Sequence, residues 1–193
     1  LFKNGKPGIV ALIDDYAEIV SLLRAAKLIP LDAPKLETVA AALKDIRGQN
    51  RFVVTNTLDN IVDNPSFVFA YVWHGNALEY IRGKEDRLQF LVHPQLSYAS
   101  MDLVGIAKAT DESVCVAKAL ASRDFLNKLE EKSAYFSPYL NENLPDRNVR
   151  AASLKEEFLH TLDSLPFMSD VNPVVLKHVA SDWTRVKLQI TRN

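Results

Sequence analysis

The sequence has very little cysteine and little glycine. It contains one cysteine, Cys115, and six glycines among its 193 residues. A single cysteine cannot form an intrachain disulfide, which excludes a small secreted domain held together by disulfides. We therefore expect a reducing compartment such as the cytoplasm. The chain begins with Leu1 instead of methionine, so this expectation leaves open a targeting segment upstream.

Motifs that bind phosphates or metals are also missing from the sequence. It contains no Walker A motif, no GxGxxG motif and no nucleophile elbow, which disfavours P-loop enzymes, Rossmann dehydrogenases and α/β-hydrolases. No two of its four histidines are four residues apart, and it has no CxxC pair. Structural zinc sites are usually built from such clusters. We therefore predict no metal site and no cofactor.

Charge and hydropathy disfavour two classes of partner. The 23 basic and 24 acidic residues give a net charge of −1, whereas nucleic-acid-binding proteins gain much of their affinity from excess positive charge. The most basic stretch, residues 82–87, also contains two acidic residues and is typical of a solvent-exposed turn. No apolar run approaches the roughly 18 residues that a membrane-spanning helix needs. We expect neither nucleic-acid binding nor a membrane span.

The sequence does have enough apolar material for a packed domain. Hydrophobic residues make up 48% of the chain, and a domain of this length buries about 70% of the surface of its unfolded chain. We predict a single domain over residues 1–193. Within it, residues 1–48 are a candidate N-terminal helix pair, and the polar stretch 141–150 is a candidate linker.

Four segments show the three- and four-residue apolar spacing of amphipathic helices. They are residues 9–28, 32–48, 122–136 and 151–165. The second begins with Asp32 and Pro34, which suit a helix N-terminus, and ends at Gly48, which suits a left-handed C-cap. The pattern therefore predicts an N-terminal helix pair and two later helices.

The segment 102–120 is ambiguous between strands and a helix. Val104, Ile106, Val114 and Val116 alternate with other residues, as in strands, and β-branched residues lose side-chain freedom in helices. We favour two strands over the alternative, a helix that starts near residue 112. In either case Cys115 lies between two valines, so we interpret it as a small buried side chain.

Alternating apolar residues predict an antiparallel sheet in the middle of the chain. Residues 51–55 and 66–73 are predicted strands, and residues 74–76 are a predicted tight turn. Further strands are predicted over residues 77–82, 87–93, 174–179 and 185–191. Because strands and helices occur in blocks, we predict an α+β fold. In this fold an antiparallel β-meander of about five strands packs against the N-terminal helix pair and the later helices.

Residues near the ends of these predicted strands form our candidate ligand-binding site. They are Trp73, His74, Tyr80, Arg82 and His93. Aromatic side chains with polar tips suit small-molecule pockets. One of the histidines could form a general acid–base couple with Glu79 or Asp102. The simpler interpretation is that both histidines are polar strand-end residues, and the sequence identifies no catalytic residue.

Three functions are compatible with these observations. The missing catalytic motifs and the amphipathic helices favour a non-catalytic protein-interaction or assembly domain, with a protein partner or self-association. The alternative is a small-ligand-binding protein or enzyme with a pocket between the sheet and the helices. A nucleic-acid-binding domain is a further alternative, which the charge balance disfavours.

Overall fold

The computed structural model of the chain describes residues 7–30, 35–93, 96–100, 102–137, 165 and 173–191. Contacts within the chain divide it into two compact units. Unit 1 comprises Leu1–Val72, Leu91–Ser100 and Ser164–Asn193, and unit 2 comprises Trp73–Phe90 and Met101–Asp163. The prediction of one domain over residues 1–193 stays a prediction. The candidate linker 141–150 and, apart from Leu165, the predicted helix 151–165 lie outside the described residues.

Unit 1 is built around a parallel sheet. Its strands are β1 (Ile9–Leu12), β2 (Arg51–Val54) and β3 (Phe67–Tyr71), in the order β2-β1-β3. Both neighbours run parallel to β1, and Val10 lies opposite Phe52 on one side and Phe69 on the other. The central strand has buried residues on both faces, as expected for a parallel sheet covered on both sides. The predicted five-strand antiparallel meander is therefore wrong, although the chain does combine helices with strands.

Two helices connect β1 to β2. They are α1 (Tyr16–Ala25) and α2 (Leu36–Arg47). The Asp15 side chain caps α1 by accepting from the Glu18 backbone N–H at 3.1 Å, and Gly48 ends α2 with a φ of 53°. The prediction of α2 is confirmed. The predicted helix over residues 9–28 is wrong in its first part, because an apolar run as short as β1 fits a buried strand and a helix equally well.

The chain after β3 departs most from the prediction. Strands β2 and β3 lie where we predicted them, but residues 74–81 form helix α3 (His74–Ile81) instead of a turn and a strand. Ala77, Leu78 and Ile81 match helical spacing, whereas Leu78 and Tyr80 match alternation, so the sequence pattern did not distinguish the two. Residues 87–93 are described and contain no strand.

Three further helices complete the described chain. Unit 2 contains α4 (Asp111–Leu120) and α5 (Arg123–Ser133), and unit 1 contains α6 (Pro173–Thr191). Thr110 and Ser113 form a capping box that starts α4. The preferred pair of strands over 102–120 is therefore wrong and the helical alternative is right. The prediction of α5 is confirmed, whereas the predicted closing strands 174–179 and 185–191 are both part of α6.

Helix α6 packs against α1, α2 and β2 and completes the core of unit 1. Its buried side chains Trp183, Val186 and Ile190 recur at helical spacing. Arg47 at the end of α2 donates a hydrogen bond from Nη1 to the Ile190 carbonyl at 2.9 Å. None of the helices within the described ranges is long and apolar enough to cross a membrane.

Candidate functional site

The carboxyl edge of the sheet in unit 1 is the first candidate site. In an open sheet of parallel strands, ligands bind beyond the carboxyl ends of the strands, at the point where the strand order reverses. Here that point is β1, because β2 and β3 lie on opposite sides of it. Asp14 follows β1, and its backbone N–H donates to Oδ1 of Asn56, which follows β2, at 2.9 Å. The topology therefore brings two polar residues together that are 42 positions apart.

The Asp14 carboxylate is held by two side chains of α6. Trp183 Nε1 donates to Asp14 Oδ1 at 2.7 Å, and Lys187 Nζ contacts both carboxylate oxygens at 2.8 and 3.0 Å. Burial raises the pKa of Asp14, but the hydrogen bonds from Lys187 and Trp183 outweigh it and hold the pKa below its ordinary value. We call these three residues the Asp14 clamp. A carboxylate already satisfied in this way anchors α6 to the end of β1 and is poorly placed to act as a base.

The N-terminus of α1 is unsuited to an anion. Backbone N–H groups at a helix N-terminus commonly bind phosphates. Here the Asp15 carboxylate already occupies that position, and Asp14 adds a second negative charge beside it. The loop from β1 to α1 also contains no glycine that would let a phosphate approach the backbone. The edge of this parallel sheet therefore disfavours nucleotide phosphates, in agreement with the missing GxGxxG motif.

Three tyrosines lie in the same unit. The hydroxyl oxygens of Tyr16 and Tyr98 are buried, and within the described part of the chain they have no hydrogen-bond partner. The Tyr98 ring lies 6.3 Å from the ring of Tyr71 at the end of β3. Burial raises the pKa of Tyr71 and, together with the Glu18 carboxylate, keeps this phenol neutral. Buried hydroxyls without a partner are candidates for contact with water or with a polar ligand.

The Asp14 clamp was not predicted from the sequence. Asp14 falls within the predicted helix over residues 9–28, because the four apolar residues of β1 continue the helical spacing of α1. One feature of the sequence could have identified the carboxyl edge of the sheet, namely that Asp14 and Asp15 directly follow a short apolar run. Trp183 and Lys187 carried no such signal, since they are 169 and 173 residues from Asp14.

The five predicted ligand-binding residues do not lie at strand ends. Four belong to unit 2: Trp73 precedes α3, His74 and Tyr80 are within α3, and the exposed Arg82 follows it. His93 belongs to unit 1, where its backbone N–H donates to Ser97 Oγ at 3.1 Å. The structure thus gathers four of the five on one short helix. Their role in binding stays a prediction, as does the acid–base couple with Glu79 or Asp102.

His74 is packed among aromatic side chains. Its ring stacks on Phe136 with the centroids 4.7 Å apart, and it meets Tyr135 edge-on at 5.0 Å. Its Nε2 atom accepts a hydrogen bond from the Phe136 backbone N–H at 3.2 Å. Burial lowers the pKa of His74 to about 4. The ring is therefore neutral near pH 7, and because Nε2 is an acceptor, the proton is assigned to Nδ1.

A second candidate site is the exposed apolar surface of unit 2. Leu103 is 83% exposed, Val104 54% and Ile106 43%, all within a segment that forms neither a helix nor a strand. Val116 on α4 is 57% exposed, and helix α4 buries none of its ten side chains. Phe125 and Leu129 on α5 are also exposed. We call this set the unit 2 apolar surface.

Cys115 lies on the same helix as Val116. Its side chain is exposed, so the prediction of a small buried cysteine is wrong. The error follows from the assumption that the neighbouring valines are buried, whereas Val116 is 57% exposed. On α4, residues 115 and 116 instead share the open side of the helix.

Within the described part of the chain, neither candidate site has the cluster of side chains that a metal ion requires. Within the described ranges, no three His, Cys, Asp or Glu side chains come close enough to hold a metal ion. Comparisons of the chain with protein-family models, with curated proteins and with solved structures found no match.

Proposed function

We propose that this chain is a protein-interaction or assembly domain that contacts its partner through the unit 2 apolar surface. The observation that carries the proposal is the segment 102–106, where three large apolar side chains within four residues, Leu103, Val104 and Ile106, are all exposed. Single exposed apolar residues are common in folded proteins, but a contiguous group marks an interaction site. Covering each of these side chains stabilises a complex by roughly 1–2 kcal/mol.

The backbone of this segment supports the same function. Residues 102–107 make no hydrogen bond within the described part of the chain, and all of them are exposed. The backbone groups are thus available to a partner together with the apolar side chains. A segment that binds a partner as an added strand uses both features, backbone hydrogen bonds and alternate side chains.

Helices α4 and α5 extend the proposed surface. Both are amphipathic by sequence, yet α4 buries no side chain and α5 buries only Glu130. An amphipathic helix normally derives its stability from covering its apolar stripe. Val116, Phe125 and Leu129 would be covered by a partner, as in the docking of helices into apolar grooves.

Site-specific photo-crosslinking in cells tests this proposal. A photoreactive amino acid at Leu103 should give discrete protein adducts, and the same amino acid at the exposed Lys118 of α4 serves as the matched control. Adducts from position 103 should disappear when Val104→Asp is added. Identical adducts from both positions, or adducts that survive Val104→Asp, would show that this surface binds no specific protein.

A second candidate is the binding of a small polar ligand at the sheet edge of unit 1. It is favoured by the position of β1 at the reversal of strand order and by the buried hydroxyls of Tyr16 and Tyr98. Ligand-detected NMR with a panel of sugars, amino acids and carboxylic acids tests it. A binder whose signal is lost in Tyr98→Phe would support this candidate, and a panel without such a binder would reject it.

A further inference from the structure

We propose that unit 2 contains an acid-sensitive latch, in which neutral His74 holds residues 134–137 against the start of α3 and releases them when it is protonated. The inference goes beyond the proposed interaction function and does not depend on it. It rests on contacts between three consecutive residues of α3 and the segment that follows α5.

The first contact uses the unprotonated nitrogen of His74. Nε2 accepts the Phe136 backbone N–H at 3.2 Å, and the imidazole stacks on the Phe136 ring at an interplanar angle of 26°. A hydrogen bond of this polarity requires the lone pair on Nε2. The hydrogen bond between Phe136 and His74 therefore requires the neutral form of the His74 ring.

Two further contacts hold Tyr135 in place beside His74. The Tyr135 ring lies so close to Gly75 that a Cβ atom there would come within 2.4–2.7 Å of three ring carbons. Tyr135 Oη also donates to Asn76 Oδ1 at 2.7 Å. Glycine at position 75 is therefore what allows the ring to approach α3 this closely.

The end of the segment is attached to α5. The Ser137 backbone N–H donates to Oε2 of the buried Glu130 at 3.2 Å. Ala134, which ends α5, adopts a left-handed conformation with a φ of 56° and turns the chain toward α3. The segment is thus attached to α5 at both ends, and its middle residues, Tyr135 and Phe136, contact the start of α3.

Protonation of His74 opposes this arrangement for three reasons. The new N–H on Nε2 would point at the Phe136 N–H, so the hydrogen bond is lost. His74 is the first residue of α3, where the helix dipole disfavours a positive charge. The ring is also largely buried, and burial disfavours the charged form.

Other titratable groups are described on the elements around His74. They are Glu79, Tyr80 and Arg82 on α3, Tyr135 after α5, and Arg123, Asp124, Lys128, Glu130, Glu131 and Lys132 on α5. Burial lowers the pKa of His74 from 6.5 to about 4. Above pH 6.5 the ring is neutral whether the latch is closed or open. As the pH falls from 6.5 to 4, the open form binds a proton that the closed form does not, so the closed form loses stability.

Hydrogen exchange at the Phe136 amide of the full chain tests the latch directly. After correction for intrinsic exchange, the protection of this amide should fall about tenfold per pH unit below 6.5, or roughly 150-fold by pH 4. His74→Gln should remove this pH dependence, because glutamine can accept the same hydrogen bond without titrating. His93→Gln, which changes a histidine of unit 1, is the matched control and should leave the pH dependence unchanged.

Three outcomes would overturn the proposal. They are a pH-independent protection in the unmodified chain, a pH dependence that survives His74→Gln, and one that disappears in His93→Gln. If His74→Gln does not fold, an NMR titration of the His74 ring in the unmodified chain decides. A midpoint below pH 5 supports the latch, and a midpoint near 6.5 contradicts it.

Discussion

Unit 1 and unit 2 use their apolar residues in opposite ways. In unit 1 the central strand β1 and the helices around it bury almost every large apolar side chain that faces the sheet. In unit 2 the helix α4 buries none of its side chains, and α5 buries a glutamate instead of its phenylalanine or leucines. Both units contain amphipathic helices, so the sequence pattern alone does not distinguish them. The difference is whether another element covers the apolar stripe.

This comparison assigns different roles to the two units. The buried apolar groups of unit 1 stabilise the fold, since each side chain removed from water contributes to folding. The exposed apolar groups of unit 2 contribute little to folding, and under the proposed function they contact a partner. Substitutions in unit 1 should therefore change stability, and substitutions on the unit 2 apolar surface should change binding.

The largest effect is expected from Leu43→Ala in the core of unit 1. Leu43 is fully buried, and the cavity left by this change should lower the free energy of unfolding by about 3 kcal/mol. The matched change on the unit 2 apolar surface, Leu103→Ala, should cost less than about 0.5 kcal/mol. Urea unfolding followed by Trp183 fluorescence, in a Trp73→Phe background, measures the loss caused by Leu43→Ala. Urea unfolding followed by circular dichroism measures the losses caused by both changes. Equal losses of unfolding free energy from the two changes would contradict the contrast between a buried apolar core in unit 1 and an exposed apolar surface in unit 2.

The next largest effect is expected from Asp14→Ala. It removes the acceptor of both Trp183 and Lys187, and because the clamp is partly exposed we expect a loss of about 1–2 kcal/mol at pH 7. The pKa of Asp14 is lowered in the folded chain, so its contribution is present above the unfolded value of 3.8 and is lost as the pH falls through the folded value. Unfolding measured at pH 7 and pH 3 should show a smaller difference between variant and parent at pH 3.

Asp59→Asn is the control for the Asp14 clamp. Asp59 is an exposed carboxylate in the same unit. Its replacement should change the free energy of unfolding by less than about 0.5 kcal/mol at either pH. A loss as large as that of Asp14→Ala would mean that net charge, and not the clamp, stabilises unit 1.

A smaller loss is expected from Gly75→Ala in unit 2. Alanine in a helix gains about 1 kcal/mol over glycine, whereas the collision with the Tyr135 ring costs about 1–3 kcal/mol. We expect a net loss near 1 kcal/mol and faster exchange of the Phe136 amide. Gly105→Ala is the control, because a Cβ at Gly105 meets no atom within 4 Å. A stabilised Gly75→Ala variant would show that Tyr135 moves aside without cost.

The smallest effect is expected at Cys115. Its side chain is exposed, so the native chain should react with a maleimide to one label per molecule without denaturant. Cys115→Ser should leave the free energy of unfolding within about 0.5 kcal/mol of the parent value. Labelling that occurs only in denaturant would show that Cys115 is buried, as the sequence predicted. It would contradict the exposure of this side of α4.

The sequence correctly predicted α2 and α5, helices whose ends carry a characteristic capping residue. Helix α2 ends at a left-handed glycine and α5 begins at a capping serine, and both were identified. The prediction failed for α3 and β1, where a run of four to eight residues is compatible with two periodicities. It also failed for α6, whose valines favour strands by local propensity but pack on α1, α2 and β2 as a helix.

For the candidate sites, little was predictable. Trp73, His74, Tyr80 and Arg82 lie within or directly beside α3, where strands were predicted, and their role in binding stays a prediction. The Asp14 clamp joins residues at opposite ends of the sequence, and the contact of His74 with Phe136 spans 62 positions. Contacts of this range depend on which elements pack together, which a local pattern does not contain.

By itself, the sequence determined the composition, the near-neutral charge, the lack of any intrachain disulfide and the presence of amphipathic segments, because these are properties of residues and their spacing. Only the tertiary structure decided that the strands run parallel, that Asp14 is paired, that His74 is half-buried and neutral, and that Leu103 and Val104 are exposed. The reason is physical: strand direction, burial and pKa depend on neighbours that are distant in the chain, and those neighbours are known only once the elements have packed.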